Sequence, residues 1–151
     1  MNLGRKIVIV GISAVGKSTF ARELAVKTKL PLVHTDAFMW KPGWNYIGDD
    51  ATVNELNGAS SMSEWIIEGY ISQEARQFVF DRADTIIYHD YPSIVAVCRY
   101  IQRWLRHRKT PRPELQGSPE KFSFKFLMLV WGKGEQSLST RFLQTLAIKQ
   151  K

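Results

Sequence analysis

Apolar and polar positions along the chain alternate between short β-branched runs and longer stretches of helical period. Lys6-Ile7-Val8-Ile9-Val10, Leu32-Val33-His34, Trp65-Ile66-Ile67-Glu68-Gly69-Tyr70 and Thr85-Ile86-Ile87-Tyr88-His89 are the strand candidates. The first, rich in Ile and Val, suits a parallel strand buried on both faces. A helix follows from Ser18 with apolar residues at 20, 21, 24 and 25, fading near Lys27-Thr28-Lys29 before Pro31. Asp49 to Leu56 reads as a polar helix without chemistry, and Ser72 to Arg82 as another. The strongest helical pattern opens at Pro92-Ser93 and runs to about His107, with Ile94, Val97, Cys98, Ile101, Trp104 and Leu105 on the expected inner side and basic residues opposite. Ser118-Pro119-Glu120 has the cap, proline and early acid of a helix start, leading into the apolar Phe122 to Trp131 and ending at Gly132-Lys133-Gly134. A last helix is expected from Ser137 to about Lys149, with Leu138, Phe142, Leu143 and Leu146 inward.

Strands followed by helical or loop segments predict a parallel sheet with helices on both faces and every strand's carboxyl end on one edge. Ala37 to Tyr46 reads as a loop, dense in aromatics and broken by Pro42-Gly43. Its rings either wall an acceptor site or cover the core.

Gly11-Ile12-Ser13-Ala14-Val15-Gly16-Lys17-Ser18 fits G-x-x-x-x-G-K-[ST] at every fixed position, entered from a strand and left by a helix. That context distinguishes a phosphate cradle from a Gly-rich turn. The backbone N–H groups from Gly11 through Ser13, Ala14, Val15 and Gly16 to Thr19 would surround phosphate, Lys17 would reach its outer oxygens, and Ser18 would offer its hydroxyl to magnesium. Asp36 ends the second strand on the same edge, where ligands bind in open α/β sheets. It either orients an acceptor hydroxyl or a magnesium-bound water, or is a helix-cap or turn aspartate. Glu68 ends the third strand and is the natural partner for the magnesium shell.

The chain of 151 residues with 44% hydrophobic content is about one domain in size. The first residues carry Arg5 and Lys6 and a short apolar run, too little for a signal peptide or a membrane span, so a cytoplasmic protein is expected. A single cysteine, Cys98, is expected to be a small buried apolar residue, and the scattered histidines have no zinc-type spacing. The net charge of +7 favours an anionic partner, and the excess lies between Arg99 and Lys125. Arg99, Arg103 and Arg106 share a helix face. They either present guanidinium groups to transferring phosphates or form a solvated stripe. The stripe lacks interleaved acids and leads into a segment, at about 106–120, that could close as a lid.

These segments in order resemble the P-loop small-molecule kinases, to which adenylate, shikimate and gluconate kinases belong. They are most similar to the bacterial adenylate-kinase-like proteins described as DNA topology modulation proteins. The likeness rests on the loop at 11–18, Leu-Val-His-Thr-Asp at 32–36, Trp-Lys-Pro-Gly-Trp at 40–44, Trp-Ile-Ile-Glu-Gly at 65–69, Arg-Trp-Leu-Arg-His-Arg at 103–108 and Ser-Pro-Glu-Lys-Phe at 118–122. It implies a three-layer α/β P-loop fold of strand order 2-3-1-4, with a fifth edge strand in longer relatives. It implies ATP and Mg²⁺ as cofactors and transfer of a phosphoryl group to a nucleoside monophosphate or hydroxylated metabolite. Lys17 and the loop amides would hold the β- and γ-phosphates, Ser18 would bind magnesium with Asp36 and Glu68 ordering its waters, and Arg103 and Arg106 would neutralise the transferred group. Glu68-Gly69-Tyr70 departs from the relatives' Asp-Gly-Asn-Tyr, and no β-branched run after Gly134 suits a fifth strand. The competing reading is a nucleotide-binding regulatory protein that contacts DNA through the basic helix and lid.

Overall fold

The computed structural model of the chain describes residues 3–132. Within them the order is β1 Lys6–Gly11, α1 Lys17–Thr28, β2 Leu32–His34, α2 Thr35–Met39, β3 Trp40–Lys41, β4 Asn45–Tyr46, α3 Asp49–Ser60, β5 Trp65–Glu68, α4 Gln73–Arg82, β6 Thr85–His89, α5 Ser93–His107 and α6 Phe124–Trp131. The sheet is parallel, four-stranded and ordered β2-β5-β1-β6, with Lys6 opposite Trp65, Ile7 opposite Thr85 and His34 opposite Glu68. In order of the strands expected from sequence this is 2-3-1-4. The final helix and any fifth strand lie outside the described residues.

Alternation along β1 builds the three layers, because successive side chains of a strand point to opposite faces. Ile7 and Ile9 pack with Ile66 against Ala21 and Leu24 of α1, whereas Val8 packs with Trp65 and Ile67 against Leu56 of α3 and Ala75 and Val79 of α4. All of these side chains are buried, as strands covered on both faces require. The indole N–H of Trp65 is satisfied at 3.2 Å by the carbonyl of Ser60, so its ring enters the core without an orphaned donor. The Ser72 hydroxyl accepts from Ala75 N at 3.3 Å and caps α4.

The structure corrects three local expectations. The aromatic stretch after Asp36 is not a loop: it continues as α2 and then a small antiparallel hairpin, β3–β4, pairing Trp40 with Tyr46 and Lys41 with Asn45. The Trp40 ring meets those of Trp44 and Tyr46 at centroid distances of 5.8 and 5.4 Å, a cluster that a two-residue ladder can hold. Asp36 accordingly lies in the first turn of α2 rather than at a strand's end.

The helix expected from Ser118 starts only at Phe124, capped by Ser123, whose hydroxyl accepts from Phe126 N at 3.1 Å. Ser118 is instead buried, accepting from Trp44 N at 3.3 Å, and Glu120 turns inward to two arginines. Tertiary partners for both side chains override the local start signal.

The orientation of α5 is the third correction. Its buried residues are Ala96 and Tyr100, while Ile94 and Leu105 are 52% and 51% exposed and Cys98 is exposed rather than buried. Periodicity identifies an amphipathic helix but not which side meets the protein. Here the side of Ala96, Tyr100 and Arg103 does, with Val97 and Trp104 of the expected inner set half-buried beside it: Tyr100 Oη accepts from Ser123 N at 2.9 Å, the Arg99 guanidinium donates to Val15 O, and Arg103 pairs with Glu120. No helix among the described residues is long and apolar enough to cross a membrane.

Candidate functional site

The carboxyl ends of β1, β2, β5 and β6 open into one cavity of about 1410 Å³. A drug-sized ligand pocket is roughly 300–1,000 Å³, so this crevice has room for two ligands side by side. The loop from Gly11 to Ser18, with Thr19, lines it, as do Asp36, Glu68, Arg99, Arg103, Arg106 and Arg112. The sequence-predicted site residues are therefore brought to one space.

The loop leaves β1 at Gly11, where φ is +140° and an added Cβ would stand 2.4 Å from the carbonyl oxygen of His89. Only glycine passes β6 so closely, and the tight exit turns the chain back over the strand end. Ala14 also takes a positive φ, +68°, within the curl. The first turn of α1 contains no acid and its N-cap, Gly16, supplies no side-chain cap. Its leading N–H groups, with the positive end of the helix dipole, are the donors of an anion site.

Lys17 is 8% exposed, and its Nζ donates to the carbonyls of Gly11 and Ile12, each at 2.7 Å. The ammonium is thus folded back over the loop that a phosphate would fill. Arg99 meets the same loop from α5, donating to Val15 O while its guanidinium stands 5.0 Å from the Tyr91 ring centroid.

Ser18 Oγ donates to Glu68 Oε1 at 3.2 Å, and the other carboxylate oxygen, Oε2, is 2.8 Å from His34 Nδ1. Strand register explains the chain of contacts, since His34 and Glu68 are paired residues at the ends of β2 and β5. Sequence reading missed His34. Its signal was its position, closing a strand on the edge where Glu68 also ends.

Asp36 has a side chain 38% exposed, with Arg112 Nη1 3.8 Å from its Oδ2. Burial pushes its carboxyl above the usual carboxylate range, against the pull of Arg112; Glu68 adds to the rise, while Lys17 and Arg103 oppose it. Burial likewise lowers the Arg103 guanidinium, with Glu120 the main opposing influence. Arg103 Nε lies 3.1 Å and Arg112 Nε 2.8 Å from the same Glu120 oxygen, Oε1. Arg106 lines the cavity and, among the described residues, makes no ion pair. Arg112 and Glu120 were not singled out from sequence: their roles depend on a segment folding back over α5, which spacing does not reveal.

That segment is tied at several points. Glu120 N donates to His107 O at 3.0 Å, Arg22 Nη1 reaches Glu114 Oε1 at 2.5 Å, and Gly43 N donates to Gly117 O at 3.2 Å. Trp44 Nε1 donates to Pro119 O at 2.8 Å, so the aromatic hairpin and the 117–119 turn are fastened to each other at the cavity's rim.

Magnesium in nucleotide sites usually keeps several waters and takes one or two protein oxygens besides phosphate. A hydroxyl and a carboxylate oxygen 3.2 Å apart beside a phosphate cradle fit that donor set. Among the described residues there is no group of three or more His, Cys, Asp or Glu that could hold a metal ion.

No family model matches the chain, and no curated protein does. Among solved structures it is similar to a gluconokinase from Sinorhizobium meliloti 1021, with a TM-score of 0.50 over 100% of each chain and 15% sequence identity. This is the P-loop kinase fold. The likeness is one of architecture, and the chemistry of a P-loop kinase fold is decided by the side chains at its carboxyl edge.

Proposed function

We propose that the protein is an ATP-dependent phosphotransferase of adenylate-kinase-like character, moving the γ-phosphoryl group of Mg-ATP to a small acceptor, a nucleoside monophosphate or a hydroxylated metabolite. The observation that carries this reading is the Ser18–Glu68 contact at 3.2 Å, set beside Lys17 in the cavity that Arg99, Arg103, Arg106 and Arg112 also line. A structural Gly-rich turn has no use for that combination.

In this mechanism the loop amides and Lys17 hold the β- and γ-phosphates, Lys17 leaving the carbonyls of Gly11 and Ile12 for phosphate oxygens. Ser18 and Glu68 would hold magnesium, with Asp36 near its waters. When bound, the ion neutralises charge on the β- and γ-oxygens. Asp36 faces the cavity with a carboxyl more basic than usual, and would orient an acceptor hydroxyl and take its proton. Arg103 and Arg106 would neutralise the charge of the transferred group, with the segment at about 106–120 acting as the lid that excludes water.

The DNA-binding reading draws on the +7 charge. Arg99, Arg103, Arg106, Arg112 and Lys121 line the cavity, which leaves exposed Arg108, Lys109 and Lys125 as the outward charge of that region. DNA affinity that falls steeply with salt and ignores sequence would mark generic phosphate contact only.

The test is ADP release from Mg-ATP across nucleoside monophosphates and hydroxylated metabolites, comparing the native protein with Lys17→Ala. One acceptor should raise turnover well above background, and Lys17→Ala should lower it by about 10²-fold or more. ATP binding with no acceptor effect across the panel would refute the kinase assignment and favour a regulatory or degenerate nucleotide binder.

A further inference from the structure

Arg99, Arg103 and Arg106 bring one side of α5 to the cavity, and the side turned away from it is apolar. Ile94, Cys98, Ile101 and Leu105 follow one another at steps of four, three and four residues, the spacing that sets side chains in a straight seam along a helix. All four are exposed, and the seam they form is about 17 Å long. Helix α6 packs against α5 through Phe126 and Val130, which share a cluster with Ala96 and Val97. It carries an exposed run of its own, Phe124, Met128 and Trp131, at steps of four and three. Contiguous apolar surface of this kind marks a place where something docks.

The pattern fits a second copy of the chain. Steps of four, three and four read the same in both directions, so a copy turned antiparallel about a two-fold axis between positions 99 and 100 falls into register. Ile94 then lies opposite Leu105, and Cys98 opposite Ile101, each pair occurring twice. Charge points the same way. A chain of net charge +7 repels its copy across most of its surface, but the residues flanking the seam on α5 are Val95, Val97, Gln102 and Trp104, none of them charged. With the α6 run the face approaches a standard interface of about 800 Å² per partner, since an aromatic side chain alone can bury about 150–250 Å². Residues 133–151, which lie outside the described residues, contain no four positions at these steps that are all apolar, so they match the seam less well.

We propose that this face is the docking surface for a second copy of the chain, with α5 pairing antiparallel with α5 across a two-fold axis and α6 flanking the pair. The pairing is held by apolar burial and needs neither nucleotide nor acceptor. Each α5 keeps its arginines turned to its own cavity. A face of this modest size gives a dimer with a Kd of about 10 μM.

The experiment is sedimentation of the full chain between about 2 and 200 μM, with Cys98 alkylation by a maleimide timed over the same range. Cys98 is the single cysteine of the chain, so the label reports on the seam alone. The proteins are the native chain, Ile101→Glu and Val26→Glu, the last changing an exposed apolar residue of α1 instead. The native mass should rise from 17.4 kDa towards twice that value, and alkylation should slow about fivefold across the range. Added salt should tighten the native dimer, because like-charged chains then repel less. Ile101→Glu buries two unpaired carboxylates in each dimer and should weaken pairing by about 100-fold or more, leaving Cys98 to react at one rate throughout. Val26→Glu should behave as native. A native chain that stays monomeric at about 200 μM would overturn the inference: freely reacting Cys98 would leave the face uncovered, and Cys98 protected at every concentration would make residues 133–151 its cover. A dimer that Ile101→Glu leaves intact would overturn it as well, by placing the contact elsewhere. If Ile101→Glu fails to fold, the concentration dependence of Cys98 alkylation in the native chain decides.

Discussion

Gly69 follows the Glu68 carboxylate at φ +123°, and a Cβ added there would stand 2.2 Å from Thr35 Oγ1, 3.4 Å from Thr35 Cβ and 3.6 Å from Thr35 N. Thr35 is fully buried, so its hydroxyl has nowhere to retreat without moving α2. Gly69→Ala therefore incurs two separate costs. The backbone conformation is foreign to an L side chain, at about 1–3 kcal/mol. The overlap with a packed neighbour costs about 1–3 kcal/mol more. Together they amount to about 2–6 kcal/mol, and in a chain of this size each kcal/mol lowers Tm by about 2–4 °C. The steric part has a specific remedy. Thr35 Oγ1 is buried without a hydrogen-bond partner, so Thr35→Ala alone should be close to neutral, within about 1 kcal/mol of native. In the Gly69→Ala, Thr35→Ala double variant the nearest remaining side-chain approach is the ordinary 3.4 Å contact, so stability should recover by about 1–3 kcal/mol and leave only the backbone strain. Urea unfolding of the four proteins, analysed as a double-mutant cycle, measures this directly. Gly69→Ala within 0.5 kcal/mol of native, or a double variant no more stable than Gly69→Ala, would refute the reasoning.

Two further outcomes are expected. Burial works to raise the Glu114 carboxyl, but its backbone hydrogen bond and the charges of Arg22 and Arg112 outweigh it and hold the group below the usual glutamate range. A depressed carboxylate contributes stability above its unfolded pKa and loses it as pH falls through the folded value. Glu114→Gln should thus cost about 1–2 kcal/mol at pH 7, with the difference from native shrinking as pH falls below the ordinary glutamate range, and thermal unfolding against pH would register the convergence. His34→Ala removes the group that orients Glu68 Oε2 at 2.8 Å. It should raise the Mg²⁺ concentration for half-maximal ATP binding by about 10-fold while metal-free nucleotide affinity stays constant, and a calorimetric Mg²⁺ titration that leaves both unchanged would contradict that role.

The amino-acid sequence by itself determined the four strands of the parallel sheet, the phosphate loop and its flanking helix. Each depends on local requirements: β-branched residues for a strand covered on both faces, glycine where an added Cβ would stand 2.4 Å from the carbonyl oxygen of His89, and a lysine and serine at fixed offsets. It also placed Glu68 on the loop's edge, since a parallel sheet puts every strand's carboxyl end on one side, and Asp36 reaches the same cavity from the first turn of the helix after β2. What only tertiary structure decided was which side of a patterned segment meets the protein. On α5 the inward side falls on Ala96 and Tyr100, between the expected apolar stripe and the arginines, because Ser123 N, Val15 O and Glu120 meet that side across the fold. Ser118 and Glu120 carry the local signature of a helix start, but the hairpin and the arginine pair use them instead. His34, Arg112 and Glu120 acquire their partners from contacts between residues distant in the chain, and local sequence preferences do not report on such contacts.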